Sequence, residues 1–150
     1  MAVLGSGIMG SRIACHFANI GVQVLLLDIV PRELNDKEVS KNLDLTHPLV
    51  RNRIVNESLQ TALKSSPLPI YKKSFSKLIE IGNFEDDLQR IADCDWILEV
   101  VIERLDIKKS LFEKVEKYRK QGTLITSNTS GIPIKFMNEG RSVDFQKHFA

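Results

Sequence analysis

Gly5, Gly7 and Gly10 punctuate the stretch VLGSGIMGS at residues 3–11. Glycines at this Gly-x-Gly-x-x-Gly spacing suit one chemistry, the close approach of a backbone turn to a diphosphate. The first glycine makes the tight turn, the second leaves no side chain in the way, and the third lets a helix pack closely on the strand. The amino end of that helix offers unpaired N–H groups and a partial positive charge. The motif alone is weak, and its context strengthens it. It follows an apolar run and opens a segment of helical pattern. Gly10, Ala14 and Ala18 place small residues four apart, and Asp28 closes a second apolar run 18 residues after Gly10. An acid at that place accepts hydrogen bonds from ribose hydroxyls and repels a 2′-phosphate, which predicts NAD over NADP. Arg32 is the one nearby residue that argues for the phosphate. Ser6, Ile8 and Met9 lie inside the turn and count with it as cofactor-binding candidates. The plain alternative is a strand–turn–helix with no ligand.

Two further groups could do chemistry at the same edge of a parallel sheet, where ligands of open α/β folds bind. The run EVVIE ends at Glu103, and Lys108 falls on the first turns of the helix that follows. The stretch SNTSG carries Asn128, Thr129 and Ser130 at the exit of another strand. Spacing alone leaves Asn128 to Ser130 equally readable as caps of the next turn. The histidines are less promising. His16 sits on a polar helix stripe with Arg12 and Asn19, His47 precedes Pro48 in a loop, and His148 reads as surface or structural. Cys15 and Cys94 are isolated and lack metal-ligand spacing, which predicts reduced, buried thiols, a cytoplasmic chain and no metal.

These residues need a scaffold. The pattern predicts a short strand at about Ala2 to Leu4, a helix over Ile8–Asn19 with Ile13, Phe17 and Ile20 inward, and a buried strand ending at Asp28. A helix from Pro48 to roughly Lys64 is expected after a polar stretch. SPLPIYKKSFSK reads as a loop that moves or wraps the domain. KLIEIG then reads as a strand, FEDDLQRIADC as a short helix, and DWILEVVIE as a second buried strand. DIKKSLFEKVEKYRKQG is a marked amphipathic helix with Gly122 as its cap, and TLITS a further strand. After Pro133 a helical turn is expected, and DFQKHFA begins an element that the sequence leaves unfinished. The strands are near-continuously apolar, as in parallel sheets covered on both faces. The alternation predicts an α/β, Rossmann-type doubly wound parallel sheet, truncated at both ends.

The bulk numbers exclude other classes. The 150 residues suffice for one domain with a core, and 43% hydrophobic, 27% charged and net charge +2 are ordinary for a globular chain. That balance points to no nucleic acid. No apolar run is long enough for a membrane span.

VLGSGIMGSRIACHFANIGVQVLLLDI, WILEVVIERLDIKKSLFEKV and ITSNTSGIPI together resemble the NAD-binding domain of the 3-hydroxyacyl-CoA dehydrogenases. The likeness is strongest to the long bacterial form that also carries an enoyl-CoA hydratase-like region, and weakest over residues 33–77. The resemblance implies oxidation of an L-3-hydroxyacyl-CoA to the 3-ketoacyl-CoA with NAD, in fatty-acid β-oxidation. It implies roles for Gly5, Gly7 and Gly10 in the dinucleotide turn, for Asp28 on the ribose, and for Glu103 and Lys108 beside the cofactor. Ser130 would lie between cofactor and substrate, with Asn128 in the same pocket. The family's base, a histidine in a His-x-Phe-Asn-Pro motif, would begin just beyond Ala150, and its helical substrate domain later still. The chain is therefore expected to be an incomplete NAD-binding domain, inactive by itself, with exposed apolar surface that favours self-association. A stand-alone NAD-binding module and a dehydrogenase of a free 3-hydroxy acid are the alternatives.

Overall fold

The computed structural model describes residues 1–150. Five strands form one parallel sheet: β1 (Ala2–Leu4), β2 (Val24–Asp28), β3 (Ile79–Asn83), β4 (Trp96–Glu99) and β5 (Leu124–Ser127), in the order β3-β2-β1-β4-β5. The chain builds outward from β1 through β2 to β3, then crosses back to lay β4 on the other side of β1. That reversal opens a crevice at the carboxyl ends of β1 and β4. No helix is long and apolar enough to cross a membrane.

Alternation along each strand feeds two cores. Val3, Val24 and Leu26 face a layer made by α1 (Ile8–Asn19) and α4 (Arg53–Leu63). Ala2, Leu4, Leu25, Leu27, Ile97 and Ile125 face the opposite layer. That layer contains α5 (Leu105–Tyr118), α6 (Ile134–Asn138) and α7 (Val143–Lys147). Phe112 of α5 stands edge-on to Phe145 and Phe149, with ring centroids 5.7 and 5.0 Å apart. Such pairs add about 0.5–1.5 kcal/mol beyond their buried area.

The structure refines several expected elements. The face of α1 closest to the sheet is its small one, with Gly10, Ser11, Ala14, Cys15 and Ala18 buried. Ile13 and Phe17 are half-buried at its border, and Ile20 is exposed, because larger residues cannot enter so narrow a gap. Two short helices, α2 (Asp36–Ser40) and α3 (Pro48–Arg51), precede α4. The former is held by a capping box between Asn35 and Glu38. The expected single helix from Pro48 breaks at Asn52, whose side-chain oxygen accepts from Asn83 Nδ2 at 2.8 Å. FEDDLQRIADC forms a turn and a 3₁₀ segment at Leu88–Asp93 rather than an α-helix. β4 ends at Glu99 instead of Glu103, because β1 has no further residues to pair with once Val100 N–H reaches the Leu4 carbonyl.

Residues 65–71 wrap the domain. The polar stripe on α1 holds them, with Arg12 donating to Ser65 Oγ and the Asn19 amide bridging the Pro69 carbonyl and the Tyr71 N–H. His16 is exposed, as expected, and His47 caps α3 through Nδ1. Cys15 and Cys94 are buried free thiols, and burial pushes both up from their ordinary pKa. The stretch DFQKHFA completes α7 and then runs beside β5, where Phe149 makes a parallel bridge to Ile125.

Candidate functional site

The glycine turn lies between β1 and α1. Gly5 adopts φ +109°, a left-handed conformation that side chains disfavour, and its amide donates to the Leu27 carbonyl at 2.8 Å. Gly10 faces Gly5 so closely that a Cβ built there would stand 1.9 Å from the Gly5 carbonyl oxygen. A Cβ built on Gly7 meets nothing within 4 Å. The chain thus has open space where a phosphate would need to approach. Gly7 is the N-cap of α1, without a side-chain cap, and no acid lies in the first turn. The first amides of a helix have no intrahelical carbonyl to reach, so this end is left to an anion.

Asp28 ends β2 across from the turn. Ser6, fully buried, directs its amide and its hydroxyl to Asp28 Oδ2 at 2.6 and 2.5 Å, and the Ile29 N–H reaches Oδ1 at 2.7 Å. Ser6 therefore acts by aiming Asp28, whereas Ile8 and Met9 are exposed at the helix mouth. A cleft of about 610 Å³ opens along Gly5, Gly7 and Asp28, walled by Ile29, Phe84, Ile107 and Leu111. An acid at the edge of apolar walls fits an adenosine, with the ribose at the carboxylate and the base between side chains.

The other predicted residues form a chain of charges on the far side of the switch point. Lys108 is buried, and its ammonium lies 2.7 Å from both carboxylate oxygens of Glu99 and 3.3 Å from Glu103 Oε2. Expected beside the cofactor, Lys108 is in fact enclosed between two acids. Glu103 is exposed at one end. Its Oε1 accepts from the Thr129 hydroxyl at 2.5 Å and from the amides of Ser130 and Gly131 at 3.1 and 2.8 Å. The Thr129 hydroxyl, then the Gly131 amide, hold its carboxyl down at about 2. The Asn128 N–H donates to the Glu99 carbonyl at 2.8 Å. Asn128 and Ser130 are thus both tied through their backbones and exposed at the sheet's carboxyl edge. The structure brings Glu103, Lys108, Asn128 and Ser130 together, and Gly5, Ser6, Gly7, Gly10 and Asp28 together in a second group.

Two features escaped the sequence reading. Glu99 sat inside an apolar run and read as part of a strand; its only signal was a lone acid four residues before Glu103. The second is a cavity of about 480 Å³ between α1 and α4, lined by Ser11, Arg12, Glu57, Ser58, Thr61 and Ser65. No local pattern marks it, since it exists only where the two helices dock.

Residues 1–149 match the family described as 3-hydroxyacyl-CoA dehydrogenase, NAD binding domain. The chain belongs to that family. A Bacillus subtilis protein described as a probable 3-hydroxyacyl-CoA dehydrogenase is 48% identical over 148 residues, which cover 99% of this chain and 19% of that one. A Deinococcus radiodurans protein of the same description is 45% identical over 148 residues, covering 99% of this chain and 39% of that one. The chain therefore spans from about a fifth to two fifths of these relatives' lengths. The fold is also that of the (S)-3-hydroxybutyryl-CoA dehydrogenase of Ralstonia eutropha. The TM-score is 0.64, at 22% identity, over 99% of this chain and 46% of that one. The family membership agrees with the doubly wound sheet and the dinucleotide turn.

Proposed function

We propose that this chain holds NAD for an L-3-hydroxyacyl-CoA dehydrogenase, which oxidises the 3-hydroxyl to a ketone in fatty-acid β-oxidation. One observation carries the reading. An uncapped helix end with open space at Gly7 faces a carboxylate that Ser6 has already oriented, at the switch point of a parallel sheet. The amides of Ile8, Met9 and Gly10 would take the diphosphate and Asp28 the adenosine ribose. Asp28 favours NAD over NADP by repelling a 2′-phosphate. Glu103, held from behind by buried Lys108, supports the cofactor's other end, and Ser130 with Asn128 faces the substrate. When bound, NAD would accept the hydride that leaves C3 of the substrate.

The hydroxyl proton must leave as hydride departs, and this chain's histidines do not suit that work. His148 Nδ1 lies 2.8 Å from the Asp144 carbonyl oxygen and 3.3 Å from its carboxylate, His47 caps a helix, and His16 is exposed on α1. The base and the substrate-closing helical domain belong, on this reading, to sequence beyond residue 150. Without a positioned base a loss of roughly 10²–10⁴-fold is expected. We assign the acyl-CoA as the partner, a cytoplasmic site of action, and self-association of this chain when alone, supported by exposed Ile134, Phe136 and Val143.

The test has two parts. NADH fluorescence titration of this chain should show saturable binding stronger than NADPH. Reduction of acetoacetyl-CoA with NADH should be at least a hundredfold faster in a protein extended through the helical domain than in residues 1–150. An absence of NADH binding, or equal rates, would refute the proposal.

A further inference from the structure

Glu99 is fully buried, yet no part of the proposed chemistry uses it. Apart from the Val101 N–H, its contacts lead toward the substrate-side loop. Oε1 accepts from Lys108 Nζ and from the Val101 N–H, each at 2.7 Å. Oε2 accepts from Lys108 Nζ at 2.7 Å and from the Ser127 hydroxyl. Its own carbonyl holds the Asn128 amide. Lys108 then hands the connection to Glu103, which binds the Thr129 hydroxyl and the amides of Ser130 and Gly131. Residues 127–131 are thus gripped at almost every position, and most of these contacts lead back to Glu99 directly or through Lys108 and Glu103. A buried ion pair is a poor source of stability, since apolar replacements of similar volume often do as well or better. What such a pair supplies is geometry. One acid and one ammonium with all their partners satisfied admit a single arrangement.

We propose that Glu99 is the positioning residue of the site. It fixes the Lys108 ammonium between two carboxylates and thereby sets the loop that presents Asn128 and Ser130. The role rests on the dehydrogenase reading above, but the loop geometry can be measured without it. In Glu99→Gln the side chain keeps its shape and loses its charge, so Lys108 is drawn toward Glu103 and Glu103 away from the loop. The amides of Asn128, Ser130 and Gly131 should then exchange with deuterium at least tenfold faster, while those of α1 are unchanged. In the full protein kcat should fall at least tenfold, and by a larger factor than KM for NAD rises, because the glycine turn and Asp28, which hold the adenosine end, are untouched. The double variant Glu99→Gln/Lys108→Met removes both buried charges and answers the case in which Glu99→Gln fails to fold. It should keep the wild-type melting temperature while retaining fast loop exchange and low kcat. A double variant with wild-type loop exchange and kcat would overturn the proposal. So would uniform acceleration of exchange across the domain in Glu99→Gln, which would mark a merely structural role. Failure of the wild-type protein to bind NADH would sink the functional reading and leave the exchange result standing on its own.

Discussion

Replacing Gly10 by alanine should damage fold and binding together, and the size of the effect follows from one contact. The added Cβ would lie 1.9 Å from the Gly5 carbonyl oxygen, and no real Cβ comes within 3.0 Å of such an atom, so at least 3.0 − 1.9 = 1.1 Å of separation must open. Neither side yields easily. Gly5 is tied to β2 by its amide at 2.8 Å, and Ser11 Oγ ties α1 to the Ser6 carbonyl at 2.5 Å. Forced methylenes in packed sites typically cost about 1–3 kcal/mol. At the upper end this lowers the melting temperature by roughly 6–12 °C, taking about 2–4 °C per kcal/mol for a domain of this size. Withdrawal of the helix end also weakens amide bonds to a charged phosphate, each worth about 1.5–3 kcal/mol, so NADH affinity should drop tenfold or more. Gly7→Ala is the control. Its Cβ meets nothing within 4 Å and its φ of −54° suits any residue. Only the modest cost of a poorer N-cap is expected, up to about 1 kcal/mol, with binding still lost because the methyl fills the phosphate's place. Differential scanning calorimetry and NADH titration read both quantities. A Gly10→Ala protein that melts with the wild type would refute the packing argument. Undiminished NADH affinity in Gly7→Ala would refute the phosphate assignment.

Further outcomes follow from the same geometry. Asp28→Ala removes the group that Ser6 aims, and the NADH-to-NADPH affinity ratio should fall at least tenfold by competitive titration. Glu103 is held at about 2 against an ordinary 4.5, so its clamp on the loop is fully present above pH 4.5 and is lost as pH falls toward 2. The melting temperatures of wild type and Glu103→Gln should accordingly differ at pH 6 and converge near pH 2; a constant gap would contradict the assignment. Cys15 and Cys94 are buried, with thiols pushed up by desolvation, so iodoacetamide at pH 7.5 should label neither until the protein is unfolded. Fast labelling of the folded chain would count against the packing of α1.

What could be read from the sequence was whatever is local in the chain. A Gly-x-Gly-x-x-Gly turn and an acid at the end of the next strand are set by spacing. Apolar runs of strand length between helical patterns then suffice to imply the parallel sheet. Boundaries were less legible where partners decide them. β4 stops at Glu99 because β1 runs out of residues to pair with, and the helix after Pro48 breaks where Asn52 meets Asn83, 31 residues away. The same limit explains the site. Glu103, Lys108 and Ser130 could be named individually from the family likeness. Their joining through Glu99 spans β4, α5 and the loop after β5, and only the packed structure brings these together. Spacing along a chain specifies the turn that a backbone can make. Which buried charge must be matched by which other is decided by the burial itself, since an acid on a strand and a lysine on a helix are unremarkable until water is removed from between them.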